Sequence, residues 1–281
     1  MSASSETAGE AFLVTGAASG IGRHLAGALA AQGHRVLATD VDAAALFRAR
    51  AADRWPEASL RLRGLDVRRA ADWEDALAEA LETFGRLDVL LNVAGVLKPG
   101  AGWASDEADV DFHVDVNLKG VIHGTRIVGR HFVARRTGHI VNFGSLASLA
   151  PVPGLTLYSA SKFGVRGFSL ASAQELAEHG VAMTLVMPDA VQTPMLDLQV
   201  DFPEAALTFS GAEPLTVEDI ERLLVEQVLP KRPLEVAVPF SRGALARLST
   251  VWPAAATRFA PTLTRKGRAA QARIRKRRGS G

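Results

Sequence analysis

"AFLVTGAASGIG", residues 11–22, is the most informative segment of this 281-residue chain. A strand-like run, 11–15, leads directly into a loop with glycines at 16, 20 and 22, and a helix-like segment follows. Glycine permits a tight turn and a close approach of the backbone, and the start of the helix offers free N–H groups and a positive dipole end to a phosphate. The segment therefore predicts a pyrophosphate site; the alternative is that these glycines serve only the turn.

Strand-like runs alternate with helix-like segments along the following residues, which is the pattern of βαβ units around a parallel sheet. About seven such runs predict one α/β domain with a Rossmann-type, doubly wound parallel sheet and helices on both faces. Residues 189–215 interrupt the alternation and are predicted to form a long loop or lid. We expect the catalytic domain to span 1–240 and a basic, partly amphipathic extension to span 241–281. The predicted strands are 11–15, 35–39, 60–66, 87–93, 139–144, 181–187 and 234–238; the predicted helices lie near 21–32, 42–53, 72–84, 106–134, 158–179 and 216–229.

The composition excludes several other classes of protein. The chain has no cysteine, so disulfides and thiolate metal sites are excluded. Residues 1–10 lack a basic-then-apolar run, which argues against a signal peptide, and no apolar stretch reaches the ~20 residues of a membrane-spanning helix. The seven histidines are scattered without metal-ligand spacing, and no metal is predicted. We expect a cytoplasmic protein, with a peripheral membrane location as the alternative.

Asp40 stands at the end of the second predicted strand, 24 residues after the first glycine of the loop. A carboxylate at this place can bind both ribose hydroxyls of an adenosine and repels a 2′-phosphate. The neighbouring positions hold Ser19 and Val41 rather than a cation, and Arg23 lies one position into the helix. We therefore predict NAD rather than NADP as the cofactor. The alternative is that Asp40 and Asp42 cap the next helix.

The motifs, taken in order, resemble those of the classical short-chain dehydrogenase/reductase family over about residues 10–240. They are Thr15-Gly16-x-x-x-Gly20-Ile21-Gly22, Asn92-Val93-Ala94-Gly95, Asn117, Ser145 and Tyr158-x-x-x-Lys162. The resemblance implies a Rossmann-type fold, NAD(P) as cofactor, and interconversion of alcohols and carbonyl compounds by hydride transfer. It also implies a homodimer or homotetramer, formed through the long helices near 106–134 and 158–179.

The resemblance assigns further residues to the cofactor. Residues that end the third strand would contact adenine, those after the fourth strand would pass under the adenosine ribose, and residues 188–193 would hold the nicotinamide carboxamide. The family has glycine after the proline of this last segment, where Asp189 stands here. We expect this side chain either to alter the hinging of the lid or to add a charge near the nicotinamide pocket. The implied cofactor-binding residues are Gly16, Ser19, Gly20, Ile21, Gly22, Asp40, Asp66, Val67, Asn92, Ala94, Gly95, Tyr158, Lys162, Pro188, Val191 and Thr193.

Tyr158 is the only tyrosine of the chain and precedes Lys162 by four residues, so the two side chains share one helix face. Oxidation of an alcohol needs a base for the hydroxyl proton, and a free tyrosine titrates near ~10. A cation about 4 Å away at an effective dielectric of about 20 favours the phenolate by about 4 kcal/mol, or roughly three pK units. Lys162 and a positive nicotinamide ring are therefore predicted to bring the pKa of Tyr158 towards ~7. The alternative is an ordinary surface pair.

By resemblance, Tyr158 and Lys162 belong to a catalytic tetrad with Asn117 and Ser145. Ser145, at the end of the fifth strand, can donate to the substrate oxygen and stabilise charge that grows in the transition state. The resemblance gives Asn117 the role of holding a water between Lys162 and solvent. The alternative for Asn117 is a hydrogen bond within the core.

Apolar side chains in the predicted lid and in the loop after Ser145 suit a secondary alcohol or ketone on a hydrophobic body; the alternative is that they only pack the lid. A dinucleotide-binding regulator without catalysis and an epimerase or dehydratase on the same fold are the competing functions. Fold alone does not decide between them, and the complete tetrad favours the oxidoreductase. The apolar residues are Leu149, Val152, Leu155, Leu157, Met195, Leu196, Leu198, Val200, Phe202, Leu207 and Phe209.

The extension carries eleven basic side chains and no acidic one, whereas residues 1–240 carry all 30 acidic side chains. An amphipathic stripe precedes its most basic part, although Pro253 interrupts the helical spacing. In the favoured interpretation the stripe packs on the lid or on a neighbouring subunit, and the basic end is a disordered, solvated tail. In the alternative, both lie on an anionic membrane surface; nucleic acid is an unlikely partner, because no aromatic residues are interleaved with the charges. The stripe consists of Leu245, Leu248, Trp252, Ala255 and Phe259.

Overall fold

A single parallel sheet organises the molecule. The computed structural model of the protein describes residues 9–211 and 213–278, without the side chains of residues 255, 256, 259 and 277. The strands are β1 (Ala11–Thr15), β2 (Arg35–Asp40), β3 (Leu60–Gly64), β4 (Val89–Asn92), β5 (Gly138–Phe143), β6 (Val181–Pro188) and β7 (Glu235–Val238). Their order in the sheet is β3-β2-β1-β4-β5-β6-β7, and every neighbouring pair is parallel. The winding therefore reverses between β1 and β4, which opens a crevice at the carboxyl ends of these strands.

Helices cover both faces of the sheet, and the predicted doubly wound α/β fold is confirmed. The helices are α1 (Gly20–Ala31), α2 (Ala43–Asp53), α3 (Ala70–Phe84), α4 (Glu107–Val114), α5 (Gly120–Arg135), α6 (Thr156–Ala177), α7 (Pro194–Asp197), α8 (Val217–Leu223), α9 (Leu229–Lys231), α10 (Phe240–Val251) and α11 (Pro253–Arg278). Single π-helical turns join α4 to α5 and α8 to α9, so each pair occupies one of the long helical segments that the sequence predicts.

Two apolar clusters, one on each face of the sheet, form most of the core. Phe12 packs with Leu25 of α1 on one face, and Leu13 packs with Trp73 of α3 on the other. Neighbouring residues enter different clusters because successive strand side chains point to opposite faces. Trp73 is fully buried, and its indole N–H donates to the carbonyl oxygen of Val67 at 3.0 Å. With both faces covered, the carboxyl edge of the sheet is where a ligand can enter.

The lid and the last helix are packed together. The lid contains α7 and a 3₁₀ segment, Pro203–Ser210, and α11 lies against that segment. A Cβ placed on Gly267 would lie only 1.8 Å from the carbonyl oxygen of Ala206, so the two backbones touch without an intervening side chain. The fully buried side chain of Gln271 donates from Nε2 to the carbonyl oxygens of Gln199 and Phe202 at 3.0 and 2.9 Å.

The extension beyond β7 therefore differs from the favoured expectation. The expectation of a disordered basic tail is wrong up to residue 278, because α11 is helical to that point and packs on the lid. The stripe does not make this contact, since the side chains of Leu245, Leu248 and Trp252 are 55%, 51% and 63% exposed. Proline acts as expected: α10 ends at Val251, and α11 begins at Pro253. The other two stripe positions, 255 and 259, lie outside the described side chains.

Candidate active site

The glycine-rich loop after β1 has the geometry of a phosphate cradle. Gly16 has a φ of +70°, and a Cβ on it would lie 2.8 Å from Cα of Ala94. A Cβ on Gly22 would lie 2.3 Å from the carbonyl oxygen of Gly16, so the loop closes tightly on the start of α1. Ser19 precedes α1 without capping it through its side chain. Free N–H groups at a helix start suit an anion, and the loop therefore fits the pyrophosphate of a dinucleotide.

Thr15 holds the loop after β4 beside this cradle. Its hydroxyl accepts hydrogen bonds from the N–H groups of Val93 and Ala94, both at 3.0 Å. The side chain of Asn92 points into the interior instead, where it donates to Oδ1 of Asn142 at 2.8 Å. The backbone of the loop, rather than the Asn92 amide, therefore borders the crevice. Thr15 is recognisable from the sequence only as part of a motif, because its contacts with this loop depend on the β1–β4 pairing.

Asp40 lies at the end of β2 and is bonded to the glycine loop. Its Oδ2 accepts from the N–H of Ala18 and its Oδ1 from the N–H of Asp42, each at 3.0 Å. Asp42 is the residue that caps α2 through its side chain, so the capping alternative applies to Asp42 and not to Asp40. Arg23, the nearby cation, is engaged elsewhere, with Nη2 2.6 Å from Oδ1 of Asp53.

Asp66 and Val67, assigned to adenine by resemblance, follow β3. The Asp66 carboxylate accepts from Nη2 of Arg68 at 2.6 Å, and this hydrogen bond is the main reason that its pKa lies below the usual value. Val67 is buried, with its carbonyl oxygen occupied by Trp73. The structure thus gives Asp66 a partner, Arg68, that sequence reasoning did not consider.

Ser145, Tyr158 and Lys162 converge at the carboxyl ends of β5 and β6. Ser145 follows β5 and is hydrogen-bonded to the hydroxyl of Tyr158. Tyr158 and Lys162 lie one turn apart on the buried face of α6, and Nζ of Lys162 is 5.6 Å from the centroid of the Tyr158 ring. Nζ donates to the carbonyl oxygen of Phe143 at 2.8 Å. The surface-pair alternative does not describe this arrangement, since Tyr158 is 8% and Lys162 is 4% exposed.

Burial shifts the ionisation of this pair. Burial raises the pKa of Tyr158 to about 12, while the hydrogen bond with Ser145 acts in the opposite direction. Burial also lowers the pKa of Lys162 to about 8, because the ammonium ion loses its hydration. Without a bound nicotinamide ring, desolvation is therefore the main influence on both groups. The expectation that Lys162 and the ring together bring the pKa of Tyr158 towards ~7 stays a prediction.

Asn117 lies in the π-helical turn Asp115–Lys119 and is completely buried. Its Oδ1 accepts from the N–H of Val96 at 2.8 Å, and its Nδ2 donates to the carbonyl oxygen of Val96 at 2.9 Å and to Oγ of Ser161 at 3.0 Å. Both amide hydrogens are therefore used. These contacts fix the loop after β4 against α6, which corresponds to the core hydrogen-bond alternative.

One cavity of about 730 Å³ connects the polar cluster to the lid. Most of its walls are apolar, and Met195, Leu196 and Leu207 of the lid line it together with Val152 and Leu155, whereas Leu198 and Phe202 point outward. The predicted site residues in its lining are Ile21, Gly95, Ser145, Tyr158, Lys162, Pro188, Val191 and Thr193. Outside the lining lie Gly16, Ser19, Gly20, Gly22, Asp40, Asp66, Val67, Asn92, Ala94 and Asn117. Gly20 is linked to the cavity through Thr193, whose Cγ2 would be 3.2 Å from a Cβ on that glycine.

Sequence reasoning missed the contribution of the last two helices to this cavity. The residues that they supply are Arg242, Leu245, Ala246 and Ser249 of α10 and Pro253, Thr257, Ala260 and Leu263 of α11. Asp189, the departure from the family pattern, is paired with one of them: its Oδ2 accepts from Nε of Arg242 at 2.6 Å. No local pattern signals this pair, because the partners are 53 residues apart. In the part of the chain described, no group of three or more His, Cys, Asp or Glu side chains could hold a metal ion.

Comparisons with known proteins agree with this fold and geometry. A family model described as short chain dehydrogenase matches residues 10–202. A subunit of (2S)-[(R)-hydroxy(phenyl)methyl]succinyl-CoA dehydrogenase, BbsD of Thauera aromatica, is 38% identical over 188 residues, which are 66% of this chain and 74% of that protein. The oxidoreductase UcpA of Escherichia coli K12 is 32% identical over 243 residues, which are 85% of this chain and 86% of that protein.

Solved structures are similar as well. A short chain dehydrogenase/reductase from Burkholderia phymatum, crystallised in complex with NAD, superimposes with a TM-score of 0.76 at 29% identity, over 86% of this chain and 93% of that chain. Levodione reductase gives a TM-score of 0.75 at 25% identity, over 84% of this chain and 98% of that chain. The family model ends at residue 202, about midway through the lid, so the lid's last part and the extension lie outside it.

Proposed function

We propose, from the premise that this chain belongs to the short-chain dehydrogenase family, that it is an NAD-dependent oxidoreductase which interconverts a secondary alcohol and its ketone on a hydrophobic body. The observation that carries the proposal is the convergence of Ser145, Tyr158 and Lys162 in an apolar cavity that also reaches Gly95 and Thr193. Such a site offers one proton-transfer group and one hydrogen-bond donor for a substrate oxygen inside a largely apolar wall.

The roles proposed for the side chains follow from their contacts. Tyr158 takes the hydroxyl proton during oxidation and returns it during reduction, and Ser145, hydrogen-bonded to it, donates to the substrate oxygen. When bound, NAD would supply the hydride acceptor and a positive charge, which stabilises the phenolate against the effect of burial. Lys162 fixes the end of β5 through the carbonyl oxygen of Phe143. Asn117 holds the loop after β4 and Ser161, and is a positioning residue in this proposal.

The preference for NAD over NADP rests on the surroundings of Asp40. Its carboxylate lies at the crevice and keeps lone pairs for ribose hydroxyls beyond its two backbone bonds. Arg23, the cation that could offset repulsion of a 2′-phosphate, is held by Asp53. We propose that the other residues assigned to the cofactor by the family resemblance also contact it.

A panel of alcohols tests the substrate class. We expect NADH absorbance to rise with secondary alcohols that carry a ring or a long apolar chain, and much less with 2-propanol or with primary alcohols, because only the former fill the apolar cavity of about 730 Å³. Ser145→Ala is the matched control, which should lower the rate with every substrate. Turnover that does not depend on the apolar part would contradict the hydrophobic assignment, and no turnover with any member would contradict the oxidoreductase proposal.

The domain organisation, oligomeric state and location of the protein complete this proposal. Residues 1–240 with the lid 189–215 form the catalytic domain, and 241–281 form an extension that completes its cavity. A homodimer or homotetramer through the α4–α5 and α6 faces is supported by Val110 and Phe112 of α4, which are 39% and 40% exposed. We place the protein in the cytoplasm. Among the described residues, none of the helices combines the length and apolar character needed to cross a bilayer.

Contact with an anionic membrane surface remains the second proposal for the extension. Leu248 and Trp252 at the end of α10 are 51% and 63% exposed, and α11 carries exposed basic side chains such as Arg265 and Arg268. Apolar and basic groups on adjoining helices suit an interface rich in anionic lipid.

Vesicle sedimentation tests this second proposal. We expect the full chain to bind vesicles containing phosphatidylserine, less so as salt rises, and the double variant Leu248→Gln/Trp252→Gln to lose most of that binding. Trp103→Gln is the matched control, because Trp103 is 91% exposed and belongs to a separate segment, Gly102–Ala104. Equal binding by both variants, or none by the wild type, would refute a membrane contact through α10.

A further inference from the structure

The ion pair between Asp189 and Arg242 joins three segments around the cavity. Asp189 follows β6, and its N–H donates to the carbonyl oxygen of Val238 in β7 at 2.8 Å. Its carboxylate accepts from Arg242, in the first turn of α10, at 2.6 Å from Nε and 3.4 Å from Nη2. Gly211, at the end of the lid, abuts both side chains, since a Cβ on it would lie 3.4 Å from Cζ of Arg242 and 3.5 Å from Oδ2 of Asp189.

Both partners line the cavity and are largely buried. The side chains of Asp189 and Arg242 are 19% and 28% exposed, and both belong to the same lining as Tyr158 and Lys162. A carboxylate in such a position interacts strongly with other charges, because solvent screens it only in part. Without Arg242, the wall beside the β6 loop would carry an uncompensated negative charge.

We propose that Arg242 is a positioning residue which neutralises Asp189 and fixes the loop after β6 and the end of the lid against α10. One consequence of this proposal concerns the two redox states of the cofactor, and this consequence rests on the proposed function. The nicotinamide ring is positive in NAD⁺ and neutral in NADH, so a free carboxylate in this wall favours the oxidised state. Arg242 therefore keeps the site able to bind both states.

Binding of the two nucleotides measures the charge effect. We expect Arg242→Met to raise the ratio of the NADH dissociation constant to the NAD⁺ dissociation constant about tenfold, as followed by quenching of tryptophan fluorescence. Adding Asp189→Asn should return the ratio close to the wild-type value, because the unpaired charge is then gone. A role in folding alone would change both affinities together and leave the ratio constant.

Arg247→Met is the matched control for this variant. Arg247 lies on the same helix and pairs with Glu235 at 2.8 Å, with 36% and 19% of the two side chains exposed, but it is not in the cavity lining. We expect Arg247→Met to have the same ratio of NADH to NAD⁺ dissociation constants as the wild type. An unchanged ratio in Arg242→Met, or the same shift in Arg247→Met, would overturn the charge proposal. Failure of the wild type to bind either nucleotide would instead refute the proposed function.

Proteolysis without any nucleotide tests the positioning part separately. Chymotrypsin can cleave the lid after Leu207 and Phe209, which lie just before Gly211. We expect cleavage there to accelerate about tenfold in Arg242→Met, to stay at the wild-type rate in Arg247→Met, and to slow again in the charge-exchanged variant Asp189→Arg/Arg242→Asp. Equal cleavage of Arg242→Met and the wild type would overturn the positioning role.

Discussion

Replacement of Tyr158 by phenylalanine is expected to lower turnover about a thousandfold while the affinity for NAD stays almost unchanged. The substitution removes the hydroxyl that transfers the proton in the proposed reaction and keeps the ring that packs with Leu97, Ala147 and Leu155. The measurement is steady-state turnover together with the NAD⁺ dissociation constant. Thr156→Val is the matched control, because it deletes another hydroxyl from the same cavity and should have little effect.

The titration of Tyr158 gives the sign of the pH dependence. The protein's own groups put the pKa of this phenol at about 12, so the phenolate becomes more abundant as pH rises towards that value. Oxidation, which needs the phenolate as base, should therefore accelerate with rising pH. Reduction, which needs the phenol as acid, should stay nearly constant until the pH approaches about 12. Because Tyr158 is the only tyrosine, ultraviolet difference spectra follow it without overlap. Substantial residual turnover in Tyr158→Phe would contradict the base assignment, and a midpoint that NAD does not lower would contradict the charge argument.

The second large effect is expected at Asp40. Asp40→Asn should reduce the preference for NAD over NADP about a hundredfold in kcat/KM, because the 2′-phosphate no longer meets a carboxylate at the end of β2. Asp42→Asn is the matched control: Asp42 is two residues away and also acidic, but it caps α2. A wild-type enzyme that uses both nucleotides equally well, or an equal change of nucleotide preference in both variants, would show that Asp40 does not contact the ribose.

The sequence predicts the sheet well because its signals are local. Runs such as 11–15 and 181–187 are bounded by turn residues, and their apolar character reflects burial on both faces of a parallel sheet. The ends of strands and helices agree with the expected ones within two residues. The sequence does not predict the packing of residues 241–278. Whether α11 packs or frays depends on the close contact between Gly267 and Ala206, which lie 61 residues apart in the chain.

The same distinction between local and distant information applies to the candidate site. The spacing of Tyr158 and Lys162 predicts a shared helix face, which is present in α6, and the order of the other motifs marks the pair as a candidate site. Their pKa values were not predictable, because desolvation depends on how completely the lid, β5 and α6 enclose them. The pairing of Asp189 with Arg242 and the hydrogen bonds of Thr15 likewise depend on tertiary neighbours rather than on sequence spacing.

The direct backbone contact between Gly267 and Ala206 has a consequence for how fast products leave. With Gln271 bonded across the same junction, we expect the lid to move together with the 26-residue helix α11 rather than as an independent flap. Such collective displacements occur over microseconds to milliseconds and often limit turnover. Since α11 lies outside the residues that the family model matches, we expect substitutions at its contact with the lid to change the rate of release.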